Sequence, residues 1–421
     1  MIRNLFSTTV SRIVIGVINL GVIWICARYL GAEALGTISL IILGISIIQL
    51  VTAIMAGSSL VYQASRYRLA DLLTIAWLWT IIGGIPVWFI LKAFSLIPPE
   101  FSNEVLGLAL ISSIITINQN LFLGKEQIRN YNLMAVVQSI ILLFALIILV
   151  LLYKWYKPSA YVISQFISMS IIALIGTIMN LPPLKTFKIP QKKVILEAFR
   201  YGGFLQTANI MQLFNYRLSY YLIEKFFDRA TLGVFSLGVQ LAESIWIISR
   251  SMAVLLYSRL SNVRDQNFSI NLTVNFIKVA AIATTLLIGI VVLLPSDFFV
   301  IVFQSEFEGI VKVFSSLAPG IIAISISLMF SHYFSGNGTP HYNTISSGIG
   351  LILTICLGLI LIPLYGVIGA GITSSLSYIS SMLYQLFVFK RKTRIKWFAF
   401  IPVSSDYGRV IAEIRTTFKK V

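Results

Sequence analysis

Three ionisable residues stand inside apolar stretches, where charge is costly: Arg217, Glu243 and Lys278. In hydrocarbon such groups are paired, protonated or turned toward a water-filled path, so each is a candidate for transport chemistry. A helix advancing about 100° per residue gathers Gln206, Asn209, Tyr216, Arg217 and Tyr220 into one arc. An arc so polar turns away from lipid, toward a cavity or another helix. The planar guanidinium of Arg217 can give two hydrogen bonds at once to a pyrophosphate or carboxylate. The plainer reading is an arginine snorkelling to a nearby surface. Glu243 lies mid-stretch, with Ser236 and Gln240 on its side of the helix. It is either a proton or cation carrier or the structural partner of Arg217 or Lys278. Lys278 can hold an anion, or simply reach the interface from its own stretch.

These residues need elements that hold them at membrane depth. Hydrophobic residues make up 57% of the 421 and charged residues 11%, with a mean hydropathy of +0.90. A water-soluble domain so poor in charge would expose large apolar patches. Apolar runs of about 20 residues suffice to cross a bilayer core. Twelve occur, roughly at 10–27, 37–60, 70–91, 105–123, 132–153, 160–180, 201–222, 231–254, 271–294, 311–332, 343–363 and 367–389. The period-2 alternation of a membrane barrel is absent, so the runs are read as helices. The expected fold is an all-α polytopic membrane protein with twelve transmembrane helices. Arg3, Arg12 and Ala32-x-Ala34 imitate a cleavable signal peptide. A matching connector deep inside the chain, at 225–233, favours an uncleaved first helix instead.

Charge orients these helices. With the N-terminus inside, cytoplasmic segments carry Arg3, Arg12, Arg66, Arg68, Lys125, Arg129, Lys185, Lys188, Lys192, Lys193, Arg200, Arg250, Arg259, Arg264 and a basic tail. The other side carries Arg28, Lys92, Lys154, Lys157, Lys225, Arg229 and Lys312, diluted by acids. This positive-inside bias puts both the N and C termini in the cytoplasm, and it accounts for most of the net charge of +17. Basic residues spread over many short loops argue against nucleic acid as a partner; membrane lipids are the expected surroundings. Cys26 and Cys356 lie in separate apolar runs, so neither a disulfide framework nor a metal site is expected. No motif calls for a cofactor. Loops are too short for a soluble catalytic domain, which argues against an enzyme.

Internal similarity sets the organisation. Leu-Gly-x-x-Ser-Leu occurs at Leu35–Leu40 and again at Leu232–Leu237, with Arg28 and Lys225 in matching positions before it. Phe122-x-Gly124 and Tyr131-Asn132 recur as Phe334-x-Gly336 and Tyr342-Asn343. Two echoes in the same order indicate a doubled unit. An even number of helices per unit gives a parallel repeat about the membrane normal, an arrangement used by transporters. The expected division is a six-helix bundle over 1–180, a Pro- and Lys-rich cytoplasmic linker over 181–198, a second six-helix bundle over 199–390 and a basic amphipathic tail over 391–421. Gly16, Gly21, Gly202, Gly203, Pro319 and Gly320 are candidate hinges, though small residues equally permit close helix packing.

Several segments resemble a known family. Arg28-Tyr29-Leu30-Gly31-Ala32-Glu33-Ala34-Leu35-Gly36 resembles the first connector of bacterial polysaccharide flippases, in the multidrug/oligosaccharidyl-lipid/polysaccharide exporter superfamily. Asn215-Tyr216-Arg217-Leu218-Ser219-Tyr220-Tyr221, followed by Thr231–Ser236 and Leu241-Ala242-Glu243, is similar to the seventh and eighth helices of O-antigen flippases. Leu361–Gly371 is similar to their eleventh-to-twelfth helix turn. One departure is Ser219, where these flippases often carry an acid. The resemblance implies a MATE-like fold, two six-helix bundles in a V around a central cavity. It also implies transfer of undecaprenyl-pyrophosphate-linked oligosaccharide to the outer leaflet of the bacterial cytoplasmic (inner) membrane. A polysaccharide polymerase and a chain-length regulator are implied partners in lipopolysaccharide or related synthesis. For such a substrate Arg217, Lys278 and Arg28 would hold the anion. Gln206, Asn209, Tyr216, Tyr220 and Gln240 would meet sugars, and Glu243 would couple an ion. Competing readings are a drug/cation antiporter of the same superfamily and a membrane polysaccharide polymerase.

Overall fold

A computed structural model describes residues 2–64, 66–183, 192–260 and 265–401. Among them every regular element is a helix, as a chain of long apolar runs requires in a medium that offers backbone groups no other partner. Contacts divide the chain into two compact units, Asn4–Ile210 and Met211–Val421 together with Met1–Arg3.

The first unit contains α1 (Ile2–Ile25), α2 (Ala32–Ala56), the short α3 (Ser58–Gln63), α4 (Leu69–Ala93), α5 (Ser102–Gly124), α6 (Ile128–Ile147) and α7 (Pro158–Asn180). A wider turn at Cys26–Leu30 ends α1, and the chain then reverses at Gly31, whose φ of 87° favours glycine. Ile41, Ile48, Leu108 and Phe122 belong to the buried core that α2 and α5 share with α7. The last helix to join, α8 (Lys192–Phe226), begins within the stretch read from sequence as connector. Val194 and Ala198, one turn apart, bury its first turns against α2, α4 and α5, and this apolar pairing extends the helix. Part of the connector, 184–191, and the tail from 402 lie outside the described residues.

The second unit holds the rest of α8, then α9 (Arg229–Leu260), α10 (Gln266–Val292), the short α11 (Ser296–Phe303), α12 (Ile310–Gly336) and α13 (His341–Thr393). Helix α12 is central and packs on α9, α10 and α13, with Phe276, Phe330, Phe334 and Phe389 fully buried among them. Asp265 starts α10 by accepting hydrogen bonds from the amides of Asn267 and Phe268 at 2.8 and 3.3 Å. The 53 residues of α13 would run about 80 Å if straight, far beyond a hydrocarbon core of about 30 Å. The backbone breaks at Gly366 (φ 56°, ψ −131°), three residues after Pro363.

Among the described residues nine helices are long and apolar enough to cross a membrane, and ten if the two parts of α9, bent by 41° near Trp246, count as one. The difference from twelve apolar runs has physical sources. Helix α13 contains two of those runs on either side of Gly366, and α8 carries too many polar side chains to qualify by hydropathy.

Candidate functional site

Helix α8 enters the second unit with Gln212, Asn215, Tyr216, Arg217 and Tyr220 in its middle turns. Arg217 donates from Nη2 to Glu243 Oε1 on α9 at 2.7 Å, and from Nη1 to the hydroxyl of Tyr220 at 2.9 Å. The tyrosine lies one turn on, where the i, i+3 spacing of a helix makes neighbours. About a quarter of each charged side chain is accessible, 23% for Arg217 and 28% for Glu243. The pair is mostly covered but not sealed.

An aromatic wall adjoins this pair. Tyr216 packs against Trp246 and Tyr378 with ring centres 5.6 and 5.4 Å apart, and its hydroxyl accepts from Gln212 at 3.0 Å. Arg250 sits one turn beyond Trp246 with its guanidinium 5.0 Å from that ring. Glu243, Trp246 and Arg250 share one stripe of α9 at helical spacing. The cluster therefore combines one neutralised ion pair, one further cation and rings packed edge-on or tilted. Arg217 still has N–H groups beyond the two it uses. Such a site can take an anion onto the guanidinium, exchange it against Glu243, and offer ring faces to a sugar or a cation.

A polar seam anchors Arg217's neighbour. Asn215 is buried, and its Oδ1 accepts from Thr354 Oγ1 at 2.8 Å and from Ser377 Oγ at 2.6 Å, tying α8 to both arms of α13. Ser346 and Ser381 exchange hydroxyl-to-carbonyl bonds at 3.0 Å across the same arms. In the sequence Asn215 stands out only as part of the flippase-like segment, and Trp246, Tyr378 and this seam do not stand out. The signal was present in Ser346, Gly350, Thr354 and Gly358, small residues every fourth position, which allow close helix approach.

Other expected residues lie elsewhere. Gln206 and Asn209 belong to the first unit, where Asn209 donates to Gln206 at 3.0 Å and Gln206 is buried beside the carbonyl of Ala53. Lys278 is buried on α10, Arg28 is half-buried in the turn after α1, and Gln240 is half-buried on α9. Gly16 and Gly21 stand within unbroken α1, and Gly202 and Gly203 within unbroken α8. A Cβ on Gly202 would lie 1.7 Å from the carbonyl oxygen of Ile54, so this glycine serves close packing; Gly203 meets nothing within 4 Å. At Pro319-Gly320 the ladder of α12 is interrupted. The amide of Gly320 donates to Ser375 Oγ at 3.1 Å, and that hydroxyl donates to the carbonyl of Ser316 at 2.6 Å. A serine of α13 thus bridges the amide of Gly320 and the carbonyl of Ser316 beside the proline.

Outside the membrane-spanning part, the connector at Phe227-Asp228 is held by Asp228. Its Oδ1 accepts from the amide of Thr231 at 2.7 Å, which lowers the carboxyl's pKa and caps α9. No group of three or more potential metal ligands occurs among the described residues.

No family model and no curated protein matches the sequence. Solved structures do match. One is the lipid II flippase MurJ in an inward closed conformation, with a TM-score of 0.70 and 16% identity over 99% of this chain and 92% of that one. Another is a multidrug resistance MATE family transporter of the MOP superfamily, inward-facing, with a TM-score of 0.68 and 14% identity over 92% and 96%. A third is a MOP superfamily transporter from Pyrococcus furiosus, described by the reverse polarity of its binding pocket, with a TM-score of 0.64 and 14% identity over 92% and 96%. At such identities the likeness establishes the fold. The chain is a multi-pass membrane protein with the MATE-like helical architecture of these transporters.

Proposed function

We propose that the protein is a flippase that carries undecaprenyl-pyrophosphate-linked oligosaccharide from the inner to the outer leaflet of a bacterial cytoplasmic membrane by alternating access. Twelve crossings with both termini in the cytoplasm belong to this reading. The observation that carries it is Arg217, a mostly covered guanidinium on α8 held by one bond to Glu243 and one to Tyr220. A lipid pyrophosphate is multiply charged, and its sugars need both hydrogen bonds and ring faces. Arg217 with Arg250 supplies charge, and Tyr216, Trp246 and Tyr378 supply ring surfaces. The shared fold with a lipid II flippase adds support from a protein named for a related kind of cargo.

Glu243 supplies the coupling in this scheme. While ionised it competes with the substrate's pyrophosphate for Arg217. Protonation from one side of the membrane removes the competitor, and loss of that proton after delivery restores the pair and expels the anion. Glu243 and the pyrophosphate compete for the one positive charge of Arg217, which is what links a proton to a substrate. Arg217→Ala in cells is expected to abolish surface polysaccharide while the protein still reaches the membrane. Wild-type polysaccharide in that variant would remove Arg217 from the path.

A second reading, export of organic cations, draws on the four rings and one carboxylate of the same cluster and on the MATE fold. Arg217 neutralises that carboxylate and Arg250 adds positive charge, so the cluster repels what it would have to bind. Dye resistance that rises with expression would favour this second reading.

A further inference from the structure

A cavity of about 550 Å³ opens on the first unit, well away in sequence from the charged cluster. Ile75, Leu78, Trp79 and Ile82 line it from α4, and Lys192, Ile195, Leu196 and Phe199 line it from α8. Both sets fall at helical spacing, so two apolar stripes face one slot. Met55 and Ile75 form a buried floor, while Leu78, Ile82, Leu196 and Phe199 are exposed at its walls. Trp79 is locked in place, its indole N–H donating to the carbonyl of Val51 at 2.9 Å and its ring meeting Phe199 edge-on.

In a bilayer such walls face hydrocarbon. An empty slot there would forfeit dispersion contacts on every wall, and water gains no polar partner inside it. An alkyl chain fills it. The size falls within the range of about 300–1,000 Å³ typical of small-molecule sites. Chemistry at the rim narrows the occupant further. Lys192 is the charged residue that lines the slot, and it is exposed. The first acids of the two helices that line it are engaged: Glu197 accepts from the hydroxyl of Tyr67 at 2.7 Å, and Asp71 is paired with Arg68 at 3.0 Å. An apolar slot with a lysine at its rim complements an apolar chain under a negatively charged headgroup.

We propose that this slot binds one acyl chain of an anionic glycerophospholipid of the surrounding bilayer, with the lipid phosphate on Lys192. The site anchors the start of α8 on α4, and it is independent of what the protein transports.

Trp79 reports on it. The full-length protein is reconstituted in phosphatidylcholine vesicles containing a small fraction of phosphatidylglycerol, with brominated acyl chains placed on one lipid or the other at equal mole fraction. Brominated phosphatidylglycerol should quench tryptophan fluorescence more than brominated phosphatidylcholine does, through a preference on the order of five-fold for one lysine–phosphate contact. That excess should vanish in Trp79→Phe, which removes the reporter, and in Lys192→Gln, which removes the charge at an exposed position. Equal quenching by the two lipids would overturn the proposal. So would an excess that survives either substitution.

Discussion

At Arg217 two bonds divide the labour: Glu243 holds the charge, and Tyr220 holds the orientation. Glu243→Gln keeps the shape and removes the competitor, so it should bind substrate but fail to release it, and surface polysaccharide should fall while membrane-inserted protein persists. Arg217→Ala combined with Glu243→Gln should show a coupling of about 0.5–3 kcal/mol in thermal stability, since the two touch. Additive effects would show that the bond is idle. Asp228 offers a pH test at the α8–α9 connector. Its carboxyl titrates below its ordinary range because the Thr231 amide favours the charged form. The stabilisation is therefore present above the unfolded pKa of about 3.9, and is lost as pH falls through the lower, folded value. Asp228→Ala should cost about 0.5–2 kcal/mol near neutrality. Melting temperatures of variant and parent should converge in strong acid, and a gap that stays constant with pH would contradict the capping role. Arg217 and Glu243 were legible in the sequence because charge inside an apolar run is conspicuous. The choice of partner was not, since it depends on how α8 and α9 are rotated about their axes. Tyr378 gave no signal at all, being one more aromatic in an apolar run.

Glycine spacing along α8 separates packing from hinge. Gly202→Ala drives a methyl into the Ile54 carbonyl, whereas Gly203→Ala enters open space and gains up to about 1 kcal/mol of helix propensity. Thermal unfolding of solubilised protein should show Gly202→Ala clearly less stable and Gly203→Ala unchanged or better. Equal effects would place the contact with α2 elsewhere. Pro319 shows why contacts at a proline are hard to read from sequence: the proline was visible, but Ser375, which bridges Gly320 and Ser316, lies on another helix. The turn at Leu361–Gly371 was legible because proline and glycine interrupt an apolar run, and the backbone breaks there at Gly366. The start of α8 was hidden by its lysines, which masked the buried pair Val194 and Ala198.

Over the whole chain, the doubled Leu-Gly-x-x-Ser-Leu marks equivalent positions early in α2 and α9, yet the chemistry of the two units differs. In the first unit, α5 meets α7 and α2 through neutral groups, Asn118 to Thr177 at 3.1 Å and Asn120 to the carbonyl of Ala56 at 3.0 Å. The second carries the Arg217–Glu243 pair and its aromatic wall. The all-helical fold was legible from apolar length alone; the substrate is not, because cavity shape arises from residues far apart in sequence. The most direct measurement is leaflet transfer itself. Purified protein is placed in vesicles with a fluorescent undecaprenyl-pyrophosphate oligosaccharide, and a membrane-impermeant quencher reports each molecule that changes side. The parent protein should speed transfer well above that of protein-free vesicles, and Arg217→Ala should slow it about 10–100-fold, the worth of one charge-assisted contact. Transfer no faster than in protein-free vesicles, or an Arg217→Ala rate equal to the parent's, would contradict the account.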